Sequence, residues 1–333
     1  MTRGRGRAII DRRRFLGAAS ASFAGLAAPA GTNAQGSRAP TVLVVGFAAG
    51  GVTDRLARTL AEPLRDSLAG PVVVENRVGA GGRIAVAAVV AAPPTGRTLL
   101  LTPGAMVTLQ PHLFRDLPYD TLTQLVPVAM VGSSDLAVVV GADHPARDVH
   151  ALLRRFRDDP KTGSCGTPGA GSVSHMTMLE ITRTAGIDVT FVHYRGAVQL
   201  VEALLEGSLK AAAVVPSVVA PYVADGSVRA LATTGTTRSA LLPEAPTLRE
   251  SGIDIVEREW AGLFAPGDTP PAIVARLAMA TSDALARVAP RGRFNASDIE
   301  AGGMVNGEFS AMIRADYARW AQLVKRYRVT GES

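Results

Sequence analysis

Short runs of Val, Leu and Ala alternate along this chain with longer stretches of helical periodicity, and most of the runs carry apolar residues on both faces. A strand of that kind must be covered from both sides, which is the condition met in a largely parallel sheet flanked by helices. The runs are Thr41 to Val45, Val72 to Glu75, Thr98 to Thr102, Leu136 to Val140, Val189 to Val192, Ala211 to Val215 and Val228 to Ala232. Leu56, Leu60, Leu64 and Leu68 recur every fourth residue between the first two, and Val198, Val201, Leu204 and Leu205 mark a later helix that Gly207 ends. Pro271 opens a helix with Ile273, Val274, Leu277, Leu285 and Val288 on one side. Phe309, Met312, Ile313, Tyr317, Trp320, Leu323 and Val324 give a last one, with its aromatic residues in the core. The expected class is α/β.

The first 34 residues have a different character. Asp11-Arg12-Arg13-Arg14-Phe15-Leu16 precedes a mildly apolar run and small residues near Ala28-Pro29-Ala30 and Thr32-Asn33-Ala34, the pattern of a twin-arginine export signal. The run is shorter than the roughly 20 residues a membrane-spanning helix needs. Without residues 1–34 the chain holds 29 basic and 28 acidic residues, so the formal charge of +6 falls to +1. The basic balance therefore belongs to the signal, and nucleic-acid binding, which needs a basic patch on the folded domain, is not expected. A soluble periplasmic protein is the expectation. Cys165 is the only cysteine, so no internal disulfide can form and the fold rests on its core.

Two glycine-rich loops run from a strand into a helix. The first is Gly46-Phe47-Ala48-Ala49-Gly50-Gly51-Val52-Thr53-Asp54 and the second is Gly166-Thr167-Pro168-Gly169-Ala170-Gly171-Ser172-Val173-Ser174-His175. A helix N-terminus offers unpaired N–H groups and the positive end of the helix dipole, so a carboxylate is a natural ligand. Asp54 is expected to cap the first helix and Ser172 or Ser174 the second, while Thr53, Thr167 and Ser172 can donate hydroxyl bonds to an anion. Tyr194-Arg195-Gly196-Ala197 repeats the strand-to-helix context, and the planar fork of Arg195 suits an anion. Gly141 to Pro145 and Thr233 to Pro246 are the expected passages between two lobes, which suits closure about a hinge.

Catalytic signatures are missing. Ser172 lacks the closing glycine of a G-x-S-x-G elbow, and there is no phosphate loop and no H-E-x-x-H. His112, His144, His150, His175 and His193 never fall at ligand spacing on one helix, so no metal is expected. The Gly46 to Gly51 spacing is not a dinucleotide fingerprint. No cofactor is expected.

From about Thr41 to Lys325 the chain resembles the Bug family, the TctC-like extracytoplasmic receptors of tripartite tricarboxylate transporters. The likeness rests on Phe47 to Asp54 with Ala57-Arg58, Val72-Val73-Val74-Glu75-Asn76-Arg77-Val78-Gly79-Ala80-Gly81-Gly82, Leu117-Pro118-Tyr119-Asp120, Gly171 to His175 and Tyr194-Arg195-Gly196. Arg229 to Ala232, Arg238-Ser239, Leu242 to Thr247 and Trp260 to Pro266 follow in family order. The resemblance implies a non-enzymatic, two-lobed periplasmic binding protein of type II-like fold, acting as a monomer, with lobe 1 at residues 41–140 plus 250–333 and lobe 2 at 141–249. A small organic acid anion is then held in the cleft and delivered to permease subunits in the membrane.

The implied ligand contacts are Phe47, Ala48, Gly50, Gly51, Thr53 and Asp54 in loop one, and Thr167, Gly169, Ala170, Ser172 and His175 in loop two. Thr102 and Gly104, Arg195, Gly196 and Ala197, and Pro216 complete the walls. Many relatives carry an acidic residue after the strand at Ala211 to Val215, where it meets a ligand amino group. Val215-Pro216-Ser217 stands here instead, which speaks against an amino-acid ligand. Two alternatives use the same residues. One is a periplasmic hydrolase with Ser172 or Ser174 as nucleophile and His175 or His193 as base, and the other is a ligand sensor docking on a signalling receptor.

Overall fold

A computed structural model describes residues 39–160, 163–194, 196–289 and 299–331. The expected export signal and Arg195 lie outside the described residues.

The first lobe begins with β1 (Thr41–Val45), α1 (Val52–Ser67) and β2 (Val72–Asn76). A single helical turn at Ala80–Gly82 leads into α2 (Arg83–Val90), followed by β3 (Thr98–Pro103), α3 (Ala105–Thr108), α4 (Gln110–Leu113) and β4 (Leu125–Asp135). β1 pairs in parallel with β2 and β3. Its alternate residues explain the doubly apolar sequence: Leu43 and Val45 pack with Leu56, Leu60 and Leu64 of α1, whereas Val44 packs with Val86 and Val89 of α2. Each of those leucines, fully removed from water, contributes about 2 kcal/mol to the gross burial energy. The four-residue spacing of α1 is thus the sheet-facing stripe, and Leu68 is the residue that ends it.

The second lobe is β5 (Ala137–Gly141), α5 (Val149–Asp158), β6 (Ser164–Thr167), α6 (Val173–Thr184), β7 (Thr190–His193), α7 (Ala197–Leu205), β8 (Ala211–Val214), α8 (Pro216–Ala224) and β9 (Val228–Thr233). Its sheet runs β7-β6-β8-β5-β9. In α7 the structure corrects the expected stripe. Leu200, Val201 and Leu204 are buried, but Val198 and Leu205 are exposed, at 72% and 43%. The chain then returns through β10 (Arg258–Pro266), α9 (Pro271–Val288), β11 (Glu300–Ala301) and α10 (Asn306–Tyr327), completing a first sheet of order β11-β4-β10-β3-β1-β2.

The crossings differ from the expected ones. β5 already belongs to the second sheet, so the chain leaves lobe 1 after Asp135, not after Val140. Ile253 and Ile255 still pack in the core of lobe 2, and the return falls at Glu257 to Arg258, not at residue 250. The apolar run continues through the joint, and only Ser133-Ser134-Asp135 interrupts it. Gly141 to Pro145 and Thr233 to Pro246 lie within lobe 2, the latter held by Leu242 and Ala245 in its core.

Thr234 ties the two crossings together. Its hydroxyl accepts from the Leu136 N–H (2.8 Å) and donates to the Glu257 carbonyl (2.6 Å), while its carbonyl accepts from the Glu257 N–H (3.0 Å). Arg258 pairs with Asp135 at 3.0 Å across the same joint. One apolar cluster spans both lobes, joining Met106, Leu113 and Trp260 to Val173, Met176 and Leu179 of α6.

Candidate functional site

Loop one is braced from behind by a carboxylate. Gly50 adopts a left-handed conformation (φ 81°) that turns its N–H onto Asp54 at 2.8 Å. Asp54 also accepts from Arg58 Nε and from Asn76 Nδ2, both at 2.9 Å, and the same Asn76 amide donates to the Phe47 carbonyl at 2.9 Å. Burial opposes ionisation of Asp54, but the bonds from Arg58, Gly50 and Asn76 outweigh it and hold its pKa at about 2.

Two expectations change. Gly51, not Asp54, is the residue before the first helical turn, and Asp54 is the third residue of α1, reaching back into the loop. Both oxygens of Asp54 are engaged, so it shapes the loop and does not face a ligand. The donors left over are the first-turn N–H groups of Val52 and Thr53, which have no acceptor among the described residues, and the unbonded Thr53 hydroxyl. Ala48 and Gly50 are exposed, Phe47 and Gly51 are half-buried, and Phe47 borders the apolar cluster shared by the lobes.

Loop two is braced by its own side chains. Ser172 caps α6 by accepting from the His175 N–H at 3.2 Å, while Ser174 is buried inside the helix. Gly171, left-handed at φ 66°, donates its N–H to His175 Nδ1 at 3.3 Å, so the imidazole proton sits on Nε2. Burial, and secondarily His193, pushes the His175 pKa down to about 4, which makes this ring a neutral donor at ordinary pH. Its edge contacts Phe191 at 4.6 Å and His193 at 4.7 Å between ring centres.

Thr167 is committed elsewhere. Its hydroxyl lies within hydrogen-bond distance of the Gly169 carbonyl (3.1 Å) and of His193 Nδ1 (2.7 Å), so it is occupied inside loop two. Thr167 is fully buried. No imidazole nitrogen bonds to Ser172 or Ser174 among the described residues, and burial raises the Cys165 thiol far above its ordinary range. Among the described residues no cluster of His, Cys, Asp and Glu could hold a metal ion.

The two loops meet the same surroundings. A methyl group on Gly171 would stand 2.4 Å from Leu113 of lobe 1, and one on Gly82 would stand 3.3 Å from the Phe47 ring and 2.9 Å from Met106. Leu113, Met106 and Val173 belong to the cluster that Phe47 also borders, so loops from opposite lobes flank one interlobe core. The first-turn N–H groups of Val173 and Ser174 have no acceptor among the described residues.

The other expected residues divide. Thr102, at the end of β3, is buried with a hydroxyl bonded to nothing among the described residues. Gly104 is removed from the ligand wall: its N–H donates to the Trp260 carbonyl at 2.7 Å, and a methyl there would lie 2.2 Å from the Trp260 ring. Gly196 (φ 125°) precedes α7 and Ala197 begins it, presenting a third helix N-terminus beside Arg195, which lies outside the described residues. Pro216 is the buried first residue of α8 and, lacking an N–H, offers only apolar surface. Asn76 and Leu113 are the residues that sequence reasoning left out of the site. An amide side chain at a strand end before Gly79-Ala80-Gly81-Gly82 was the available signal for the former.

Two lobes joined by two crossings, with acceptor-free N–H groups where a helix starts in each glycine loop, are the architecture of a solute-binding protein of the periplasmic-binding-protein fold. Residues 56–329 match the tripartite tricarboxylate transporter family receptor, and the chain belongs to that family, the Bug proteins. Three solved structures are similar to it. The periplasmic binding protein BugD is 28% identical with a TM-score of 0.79, covering 87% of this chain and 98% of that one. MatC from Rhodopseudomonas palustris with bound malate is 28% identical with a TM-score of 0.77, covering 86% and 99%. The R. palustris protein Rpa4515 with adipate is 26% identical with a TM-score of 0.81, covering 87% and 98%.

Proposed function

We propose that this chain is an exported receptor that captures a small organic carboxylate between its lobes and delivers it to a membrane permease of the tripartite tricarboxylate type. The observation that carries the reading is the set of acceptor-free N–H groups at Val52 and Thr53 in one lobe and at Val173 and Ser174 in the other. They stand beside hydroxyls of Thr53 and Ser172 that still have a hydrogen to donate. Such donors replace the hydration of a carboxylate without bringing a net positive charge, which accords with a near-neutral chain after removal of residues 1–34. Malate in MatC and adipate in Rpa4515 support the ligand class.

The twin-arginine pattern at Arg12-Arg13-Arg14 supports export to the periplasm, and among the described residues no helix is long and apolar enough to cross a membrane. Capture drives closure to the extent that the ligand binds the closed form more tightly than the open one, and the closed form is what a permease would read. The test is a thermal-shift screen of residues 35–333 against mono-, di- and tricarboxylates, with calorimetric titration of each hit. Saturable binding of at least one carboxylate is expected. Absence of binding across the panel in a folded sample overturns the reading.

A further inference from the structure

We infer that Glu259 lines the space between the lobes and takes the positively charged group of a ligand that carries an ammonium as well as the carboxylate held by the loops. This rests on the capture reading above. Every other polar side chain at the start of β10 is already paired. Glu257 holds Arg319 at 2.6 and 3.0 Å, Arg258 holds Asp135 at 3.0 Å and Glu300 at 2.8 Å, and Trp260 Nε1 donates to Asp316 at 2.7 Å. Glu259 alone has no hydrogen-bond or ion-pair partner among the described residues.

Its surroundings make that vacancy informative. Glu259 is only partly exposed, so its carboxylate has neither a protein partner nor full access to water. Its place in the sheet identifies the space. Glu259 pairs with Ser134 of β4, one residue from the Asp135 crossing, and two residues before Ala261 pairs with Pro103 at the end of β3. Glu259 therefore stands at the end of the first sheet that abuts lobe 2, one position beyond the bond between Gly104 and Trp260. Burial, with the Glu257 charge behind it, raises its pKa to about 7.

Charge decides which ligand group fits. Among the described residues, Glu257, Asp135, Asp316 and Glu300 surround this stretch against Arg258 and Arg319, and both guanidinium groups are already shared between two carboxylates. Glu180 adds to the field at Arg319. A second carboxylate on the ligand would enter a negative region, whereas an ammonium would neutralise the one unpaired acid. Val215-Pro216-Ser217 leaves the segment after β8 without an acid, and β10 supplies one from the other lobe.

The experiment compares ligand pairs that differ only in an ammonium group: alanine and propionate, glutamate and glutarate, 4-aminobutyrate and butyrate. Each is titrated into wild type, Glu259→Gln and the charge-keeping Glu259→Asp. Wild type should bind the amino member of at least one pair tenfold or more tightly than its partner. Glu259→Gln should bring the two within about threefold, chiefly by weakening the amino member, and Glu259→Asp should retain the preference. The inference is overturned if wild type binds the plain acids as tightly or more tightly, or if Glu259→Gln keeps the preference. Wild-type selectivity decides alone should the Gln variant not fold. Binding of plain acids without discrimination leaves the capture reading standing, and binding of no carboxylate at all removes both.

Discussion

Replacing Asp54 by alanine tests whether loop one is held in shape by a carboxylate behind it. The change removes three hydrogen bonds at once, from Gly50, Arg58 and Asn76; it strands the Gly50 N–H and leaves the Asn76 amide with only the Phe47 carbonyl. Hydrogen bonds to a charged group are worth about 1.5–3 kcal/mol each, and relaxation of the exposed loop returns part of that. Arg58 is exposed, so water screens its ion pair and it adds little. The lowered pKa of Asp54 gives the same sign: the charged form is the one the fold favours.

These terms place the loss for Asp54→Ala at roughly 2–4 kcal/mol, a shift of about 1 M in the urea midpoint. Asp54→Asn keeps an acceptor and should fall between. The sign is fixed by the lowered pKa: the stabilisation is fully present above pH 4 and disappears as pH falls through about 2, so wild type and Asp54→Asn should converge there. Urea unfolding of residues 35–333 at pH 7, 4 and 2.5 measures this. A loss below about 1 kcal/mol for Asp54→Ala at pH 7, or an unchanged gap at pH 2.5, refutes the brace.

The other predictions concern loop two and its neighbours. Ser172→Ala should cost about 1 kcal/mol of stability through the lost cap, and should weaken the best carboxylate ligand by roughly 1–3 kcal/mol if the hydroxyl also bonds the anion. Unchanged affinity by calorimetry removes Ser172 from the site. Gly104→Ala should lower stability by about 1–3 kcal/mol through collision with Trp260, with a change in tryptophan emission; a silent substitution there contradicts the packing. His175 is neutral in the fold, with a lowered pKa of about 4, so its stabilisation is present above its unfolded value near 6.5 and is lost as pH falls toward 4. His175→Gln should flatten the pH dependence of thermal unfolding between 6.5 and 4, and an identical profile would refute the buried neutral ring.

The sequence disclosed what depends on local pattern. β1, β3 and β8 were legible because their residues are apolar on both faces, and α1 because its leucines repeat every fourth position. β4 and β10 were not, although β10 is a central strand, because Ser133-Ser134-Asp135 and Arg258-Glu259 place polar residues at its hinge end and on its neighbour. Those residues are polar because the sheet stops there and the chain changes lobe. The joint was therefore misplaced for the same reason that the strands were missed.

The site shows the same division. Glycine and hydroxyl residues before a helix announce amide donors, and both loops carry that signal. Which donors and acceptors remain open is set by partners distant in sequence. Asn76, 22 residues away, and Arg58 consume Asp54, Trp260 closes over Gly104, and His175 takes the Gly171 N–H. A motif names the groups that could meet an anion, and the fold spends several of them on holding the rest in place. The same subtraction isolates Glu259: once every paired charge at the start of β10 is removed, one acid is left there among the described residues, at the lobe boundary.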